Sequence, residues 1–238
     1  MPIAWYFDFV SMFSWLQWPA VRELAQEREV VLRPILFGGL LKQMGQRGPA
    51  EIPCKREFTY RYALWRARQA NVPLKFPPTH PFNPLAALRL CVAAGSTPEA
   101  VGAIFEWIWV HGRAADTPET IQPLATSLGI GDVSAALSAP DVKAALQANF
   151  EQAMRDQVYG VPTLAINGQV ANISTSPRPV PKLRVALRDA TNKELQSWVV
   201  SVTDEALEPG ASVPFHTTIS QPPEGATGVI VSFAAAGS

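Results

Sequence analysis

The sequence predicts an α/β domain followed by a small all-β module. Three observations carry this expectation. Two apolar strands flank a helix near the start of the chain. Helical periodicity then dominates to about residue 156. Beyond Gly160, short alternating runs separated by turn residues take over, and no helix-length period remains.

Ile3–Val10 reads as a buried strand, since IAWYFDFV is aromatic and β-branched with Asp8 as its one charge. Ser11 or Ser14 can cap a helix over Phe13–Arg28, with Arg22 and Glu23 on its wet side. Val30–Phe37 is a second apolar strand. Strand, helix, strand at this spacing is a βαβ unit with parallel strands and a right-handed crossover. A Gly/Pro-rich loop, Gly45–Pro53, follows. Lys55–Ala70 reads as an amphipathic helix whose apolar stripe is Phe58, Tyr62 and Trp65. Pro73, Pro77, Pro78, Pro81 and Pro84 make Val72–Pro84 a stiff, extended connection. Helices are expected again at Leu85–Ala94, Thr97–Val110, Thr117–Leu128 and Asp141–Asp156. Thr-Pro-Glu at 97–99 and 117–119 places a cap before a proline in the first turn.

After Gly160, Val161-Pro162-Thr163 opens a short strand, TLAI, and Asn167-Gly168 signals a hairpin. Alternating runs recur at Gln169–Ile173, Lys182–Arg188, Gln196–Val202, Ser212–Ile219 and Val229–Ala234, an all-β, sandwich-like pattern. The boundary is expected near residues 167–176. The division is therefore 1–168, with a helical insertion over about 40–156, and 169–238.

Composition narrows the function. Twenty basic and 20 acidic side chains give no net charge, and no Lys/Arg run marks a nucleic-acid partner. Two cysteines, Cys54 and Cys91, cannot build a disulfide scaffold, and the three scattered histidines suggest no metal site. The apolar N-terminal stretch has no basic leader, carries Asp8 and precedes no small-residue cleavage site. Other apolar runs fall short of the roughly 20 residues of a membrane helix. The expectation is a cytoplasmic protein without a membrane partner.

Two motifs carry chemistry. Ser11-Met12-Phe13-Ser14 stands where a first strand meets its helix, at the positive end of the helix dipole. Hydroxyls cannot exchange disulfides, but a serine can donate a hydrogen bond to a thiolate. Taken alone, the tetrapeptide is better read as a plain helix cap. Val161-Pro162 before a strand is a candidate cis bond. Facing Ser11, it would leave the Val161 backbone to pair with an extended peptide.

Together these motifs resemble a known family. WYFDFVSMFSW, RPILFGGLLKQMGQRGPAEIPCK, PFNPLAALRL, IWVHGR and YGVPT occur in the order found in 2-hydroxychromene-2-carboxylate isomerases and kappa-class glutathione transferases. These belong to the DsbA-like thioredoxin superfamily. The resemblance covers residues 1–168 and implies a thioredoxin-like domain with a helical insertion. It also implies glutathione as cofactor, bound by Ser11, Gln46, Lys55, Val161 and Pro162, with Ser11 the catalytic residue holding the thiolate. Lys55 and Asn83 would face the substrate, a small aromatic oxo acid isomerised about a double bond by transient thiolate addition. Met12 stands where the family has proline, and Gln46 where it often has asparagine. The aromatic surplus, including Trp5, Phe13, Trp15, Trp107 and Trp109, can line an aromatic pocket or build the core, and for Trp5 the core is preferred. Cys54 is read as a buried structural thiol.

The family pattern breaks after YGVPT. Neither its acidic closing turn nor its final helix follows. INGQVANIS, VPKLRVALRDATNKEL and LEPGASVPFHTTISQPPEGATGVIVSF resemble instead immunoglobulin-like C-terminal β-domains of some bacterial proteins. A sheet edge left open there favours a homodimer. Competing functions are a non-catalytic binding or assembly protein and a kappa-class glutathione transferase. A disulfide oxidoreductase is disfavoured because C-x-x-C is absent.

Overall fold

The computed structural model describes residues 3–234. It opens with the expected βαβ unit: β1 (Ile3–Phe7), α1 (Met12–Glu27) and β2 (Val30–Pro34), the strands parallel from Ile3↔Val30 to Phe7↔Pro34. The second strand is shorter than its apolar run. It stops at Pro34, and α2 (Phe37–Gln43) begins because the buried Asp8 carboxylate accepts the Phe37 N–H at 2.8 Å. A single 3₁₀ turn, Pro49–Glu51, leads to α3 (Pro53–Gln69).

The helices α4 (Leu85–Ala93), α5 (Pro98–Trp109), α6 (Pro118–Ser127) and α8 (Pro140–Arg155) lie where periodicity placed them. Thr97 and Thr117 cap as expected, their hydroxyls accepting from the N–H of Ala100 and Thr120. Between them and the last lies α7 (Val133–Ser138), too short for periodicity to reveal and capped by Asp132. Among the described residues no helix is long and apolar enough to cross a membrane.

One helix presents the face opposite to the predicted one. On α3 the aromatic stripe looks outward, with Phe58 69% and Trp65 56% exposed, while Thr59, Ala63 and Ala67 are buried. Small side chains let the helix backbone approach the rest of the fold, and the outward aromatics stack on one another, Phe58–Tyr62 at 5.9 Å and Tyr62–Trp65 at 6.0 Å.

After α8, every described element is a strand: β3 (Thr163–Ala171), β4 (Arg178–Pro179), β5 (Leu183–Arg188), β6 (Glu194–Val200), β7 (Ala206–Leu207), β8 (Ser212–Ser220) and β9 (Gly228–Phe233). Asn167-Gly168 makes no hairpin. It lies inside β3, paired with His216 and Phe215 of β8. A hairpin needs positive φ at the turn, whereas a partner strand running the whole length of β3 keeps both residues extended. The first sheet has the order β2-β1-β3-β8, with β3 antiparallel to both neighbours. The β-rich C-terminal region thus adds an edge strand to the α/β sheet. Its other strands form a β6-β5-β9 sheet and a β4-β7 ribbon.

The core is continuous across both parts. Trp5 stacks on Phe7 at 4.4 Å and on Trp18 at 5.5 Å, and Phe105 packs against Phe9 at 4.7 Å. Leu183, Val185, Leu187, Phe215, Ile219 and Val229 belong to the same buried cluster. His216 links β8 to the end of α8, its Nε2 donating to the Asp156 carbonyl at 3.1 Å while Nδ1 lies 2.6 Å from the Asn167 side chain. Cys91 is the buried thiol, pushed up to about 12 by burial, with the Ser96 hydrogen bond opposing. Cys54 is exposed, contrary to expectation, because the first turn of α3 faces solvent.

Candidate functional site

The β1–α1 junction opens into a cavity of about 710 Å³, within the usual range of ligand pockets. Ser11 and Val161 line it together. Ser11 is the N-cap of α1 and half-buried. Its Oγ accepts the Ser14 N–H at 3.2 Å and lies 3.5 Å from the Val161 carbonyl oxygen. That second contact is long, so the hydroxyl proton is available to a better acceptor placed in the cavity. The α1 N-terminus adds partial positive charge at the same spot. Ser14 does not share this role: it is fully buried, and its Oγ has no hydrogen-bond partner. The Val161-Pro162 bond is cis, and both residues are buried at the start of β3.

Two polar groups, the buried Asp8 and the half-buried His80, shape the junction. Asp8 accepts from Val10 N at 3.0 Å and Phe37 N at 2.8 Å, while its carbonyl accepts from Ser11 N at 3.1 Å. One side chain therefore ties the loop before α1 to the start of α2. Burial pushes the Asp8 carboxyl up to about 7, against the pull of these backbone donors. His80 lines the cavity and holds the Val10 carbonyl through Nε2 at 2.9 Å, with the Tyr60 hydroxyl 2.7 Å from Nδ1. A carbonyl can only accept, so Nε2 carries the proton and Tyr60 donates to Nδ1. Burial lowers the imidazole pKa, which suits this neutral form.

The loop after α2 forms another wall. Gly45, at φ +65°, ends the helix with its N–H on Lys42 O, while Gln46 N–H reaches Leu41 O at 2.8 Å. This Schellman turn needs a residue that tolerates the left-handed region. It brings Gln46, Arg47 and Glu51 to the cavity. Gln46 therefore lines the same cavity as Ser11 and Val161. Lys55 and Asn83 stand outside the lining. Lys55 is exposed on the first turn of α3, and Asn83 spends its Oδ1 on the Leu85 N–H at 3.1 Å. Of the five aromatic candidates, Phe13 lines the cavity, whereas Trp5, Trp15 and Trp109 are core and Trp107 bonds the Ala114 carbonyl.

Sequence reasoning missed Arg47, His80, Ser220 and Gln221, all of which line the cavity. Arg47 could have been suspected as a cation beside Gln46. Nothing local marks Ser220 or Gln221, which arrive through the β3–β8 pairing.

A parallel βαβ unit, an antiparallel return through a cis-proline and a polar helix start near that proline define a thioredoxin-like protein with a serine capping its first helix. The sequence profile of the DSBA-like thioredoxin domain matches residues 2–184, and the chain belongs to that family. Solved structures agree on the fold. A 2-hydroxychromene-2-carboxylate isomerase is 24% identical over 69% of this chain and 84% of its own, with a TM-score of 0.59. The cytosolic disulfide reductase DsbM from Pseudomonas aeruginosa is 16% identical over 70% of this chain and 84% of its own, at TM-score 0.54. The same enzyme with GSH gives 17% identity, coverage of 70% and 86%, and TM-score 0.52. Comparison with curated protein sequences gives no match.

Proposed function

We propose that the protein is a glutathione-dependent cis–trans isomerase of an unsaturated aromatic 2-oxo acid, working in the cytoplasm. The observation that carries this reading is Ser11: a hydroxyl at the N-cap of α1, 3.5 Å from the Val161 carbonyl, on the wall of a ligand-sized cavity. The fold is shared by an isomerase and by a disulfide reductase. The side chain supports the isomerase reading, because a serine stabilises a thiolate supplied from outside but offers none of its own.

The residues present fit a thiol peptide. Val161 places its backbone carbonyl beside Ser11, and Arg47 supplies a cation at the same cavity for a carboxylate. Bound there, glutathione supplies a thiolate able to add reversibly to an activated double bond. Ser11 would donate a hydrogen bond to that sulfur and, with the α1 dipole, keep it ionised. Phe13 gives an aromatic surface for the substrate ring. Asp8 and His80 hold the residue before Ser11 in place, one through the Val10 N–H and the other through the Val10 carbonyl.

Calorimetric titration with glutathione, followed by spectroscopic assay of aromatic 2-oxo acid isomerisation, tests the proposal. Ser11→Ala should lower turnover on the order of 100-fold, the scale of losing one donor to a reacting anion. Ser11→Thr, which keeps the hydroxyl and the cap, should retain a measurable fraction. No heat of binding at millimolar glutathione would sink the proposal, and binding without turnover of any aromatic oxo acid would favour the binding-protein alternative.

A further inference from the structure

The helix α2 separates the cavity at Ser11 from a second one. Phe37 and Leu41 line the first, whereas Gly39, on the opposite face of the helix, lines the second. The second cavity holds about 590 Å³ between α2, α4 and α8, within the range of small-molecule sites. Leu36, Leu85, Leu146 and Phe150 make its walls largely apolar. A Cβ on Gly39 would already touch the Phe150 ring at 3.4 Å, so a larger side chain there would fill the space between α2 and α8.

Two cations share this apolar cavity, Arg89 of α4 and Lys143 of α8. Neither forms an ion pair among the described residues, whereas Arg66 and Arg184 each hold a glutamate. Arg89 is half-buried, and its Nε is buried with no hydrogen-bond partner. Arg33 and Arg188 also bury an unpaired Nε, but each places another guanidinium nitrogen on an asparagine. A buried donor on a charged group is costly until an acceptor meets it. A carboxylate matches the guanidinium fork with two parallel bonds, and Lys143 adds a second charge at the exposed rim. A bare inorganic anion would leave the leucines and Phe150 facing water, so the fitting ligand carries an apolar body as well.

We propose that this cavity binds a small carboxylate with an apolar body, at a site separate from the one at Ser11. Arg89 grips the carboxylate, Lys143 supports it from the rim, and the leucines and Phe150 cover the rest. The site is independent of what occupies the cavity at Ser11.

Calorimetric titration of the full-length protein with octanoate tests this. Octylamine, with the same chain and the opposite charge, and acetate, with the charge and no chain, are the controls. Octanoate should bind, and both controls should bind at least about tenfold more weakly. Arg89→Met keeps the apolar length without the charge and should weaken octanoate roughly tenfold. Lys143→Met, at an exposed position, should weaken it roughly threefold, the scale of one exposed charge pair. Arg47→Met, which removes a cation from the cavity at Ser11, should leave octanoate affinity unchanged. No heat of binding at millimolar octanoate overturns the proposal. Equal binding of octanoate and octylamine also overturns it, since apolar contact alone would give that result. Weakening by Arg47→Met but not by Arg89→Met or Lys143→Met would place the anion in the first cavity and overturn it too. Should Arg89→Met fail to fold, Lys143→Met decides, and wild-type octanoate affinity in that variant overturns the site.

Discussion

At the residue scale, Asp8 has the most testable consequence. Burial raises its carboxyl from 3.8 to about 7 in the folded protein. Between those values the native state holds a proton that the unfolded chain has released. Stability therefore falls as pH rises through this window, with a slope approaching about 1.4 kcal/mol per pH unit, and the contribution levels off above it. Chemical denaturation at pH 5 and pH 8 should show the folded state weaker at pH 8. Asp8→Asn should flatten that difference while losing one of the two backbone bonds, because its amide nitrogen cannot accept. A wild-type profile that is level or rising from pH 5 to 8 would contradict the buried-carboxyl account. Ser11 was legible in the sequence because its role is local: a hydroxyl at a strand–helix junction caps the helix in any fold. Val161 was legible as the residue before a candidate cis-proline, and Gln46 only through resemblance. Ser220 and Gln221 were not legible at all, since their place depends on which strand β8 chooses as neighbour.

At the element scale, α3 shows why a periodic stripe is an ambiguous signal. Phe58, Tyr62 and Trp65 recur with helical spacing, and so do Thr59, Ala63 and Ala67 one register away. Periodicity identifies the helix but not which of two stripes faces inward. Packing decides in favour of the small residues, because Ala63 is fully buried. Ala63→Leu should therefore cost about 1–3 kcal/mol through overpacking, while Trp65→Ala should stay within about 1 kcal/mol of the wild type. Urea denaturation of the two variants checks the order, and the reverse ranking would restore the aromatic face to the core. The same distinction explains the rest of the fold. The βαβ unit and the Thr-Pro-Glu helix starts were readable because the chain itself closes them. The length of β3 was not, since Asn167-Gly168 obeys a partner some 50 residues later rather than its own turn preference.

At the scale of the whole molecule, the question is whether the C-terminal strands are an appendage or part of one folding unit. β8 covers the outer edge of β3 from Thr163↔Ser220 to Ala171↔Ser212. An uncovered edge of that length would be a template for association. Phe215 and Ile219 bury their side chains in the cluster that also contains Trp5 and Phe105, so removing β8 strips the core as well as the edge. His216 and Glu224 add polar ties to Asp156 and Arg66. Elements that share a sheet and a core unfold together, so the full-length chain should give one calorimetric transition, with tryptophan fluorescence and far-ultraviolet dichroism changing at the same temperature. A chain shortened to residues 1–177 would keep every helix yet expose the β3 edge and lose the Ser220–Gln221 wall. It should elute as aggregates or oligomers in size-exclusion chromatography and bind no glutathione. A monomeric, cooperatively melting 1–177 chain, together with two separate transitions in the full-length protein, would show instead that the α/β part closes its own sheet and that the C-terminal strands rest on it as a separate unit.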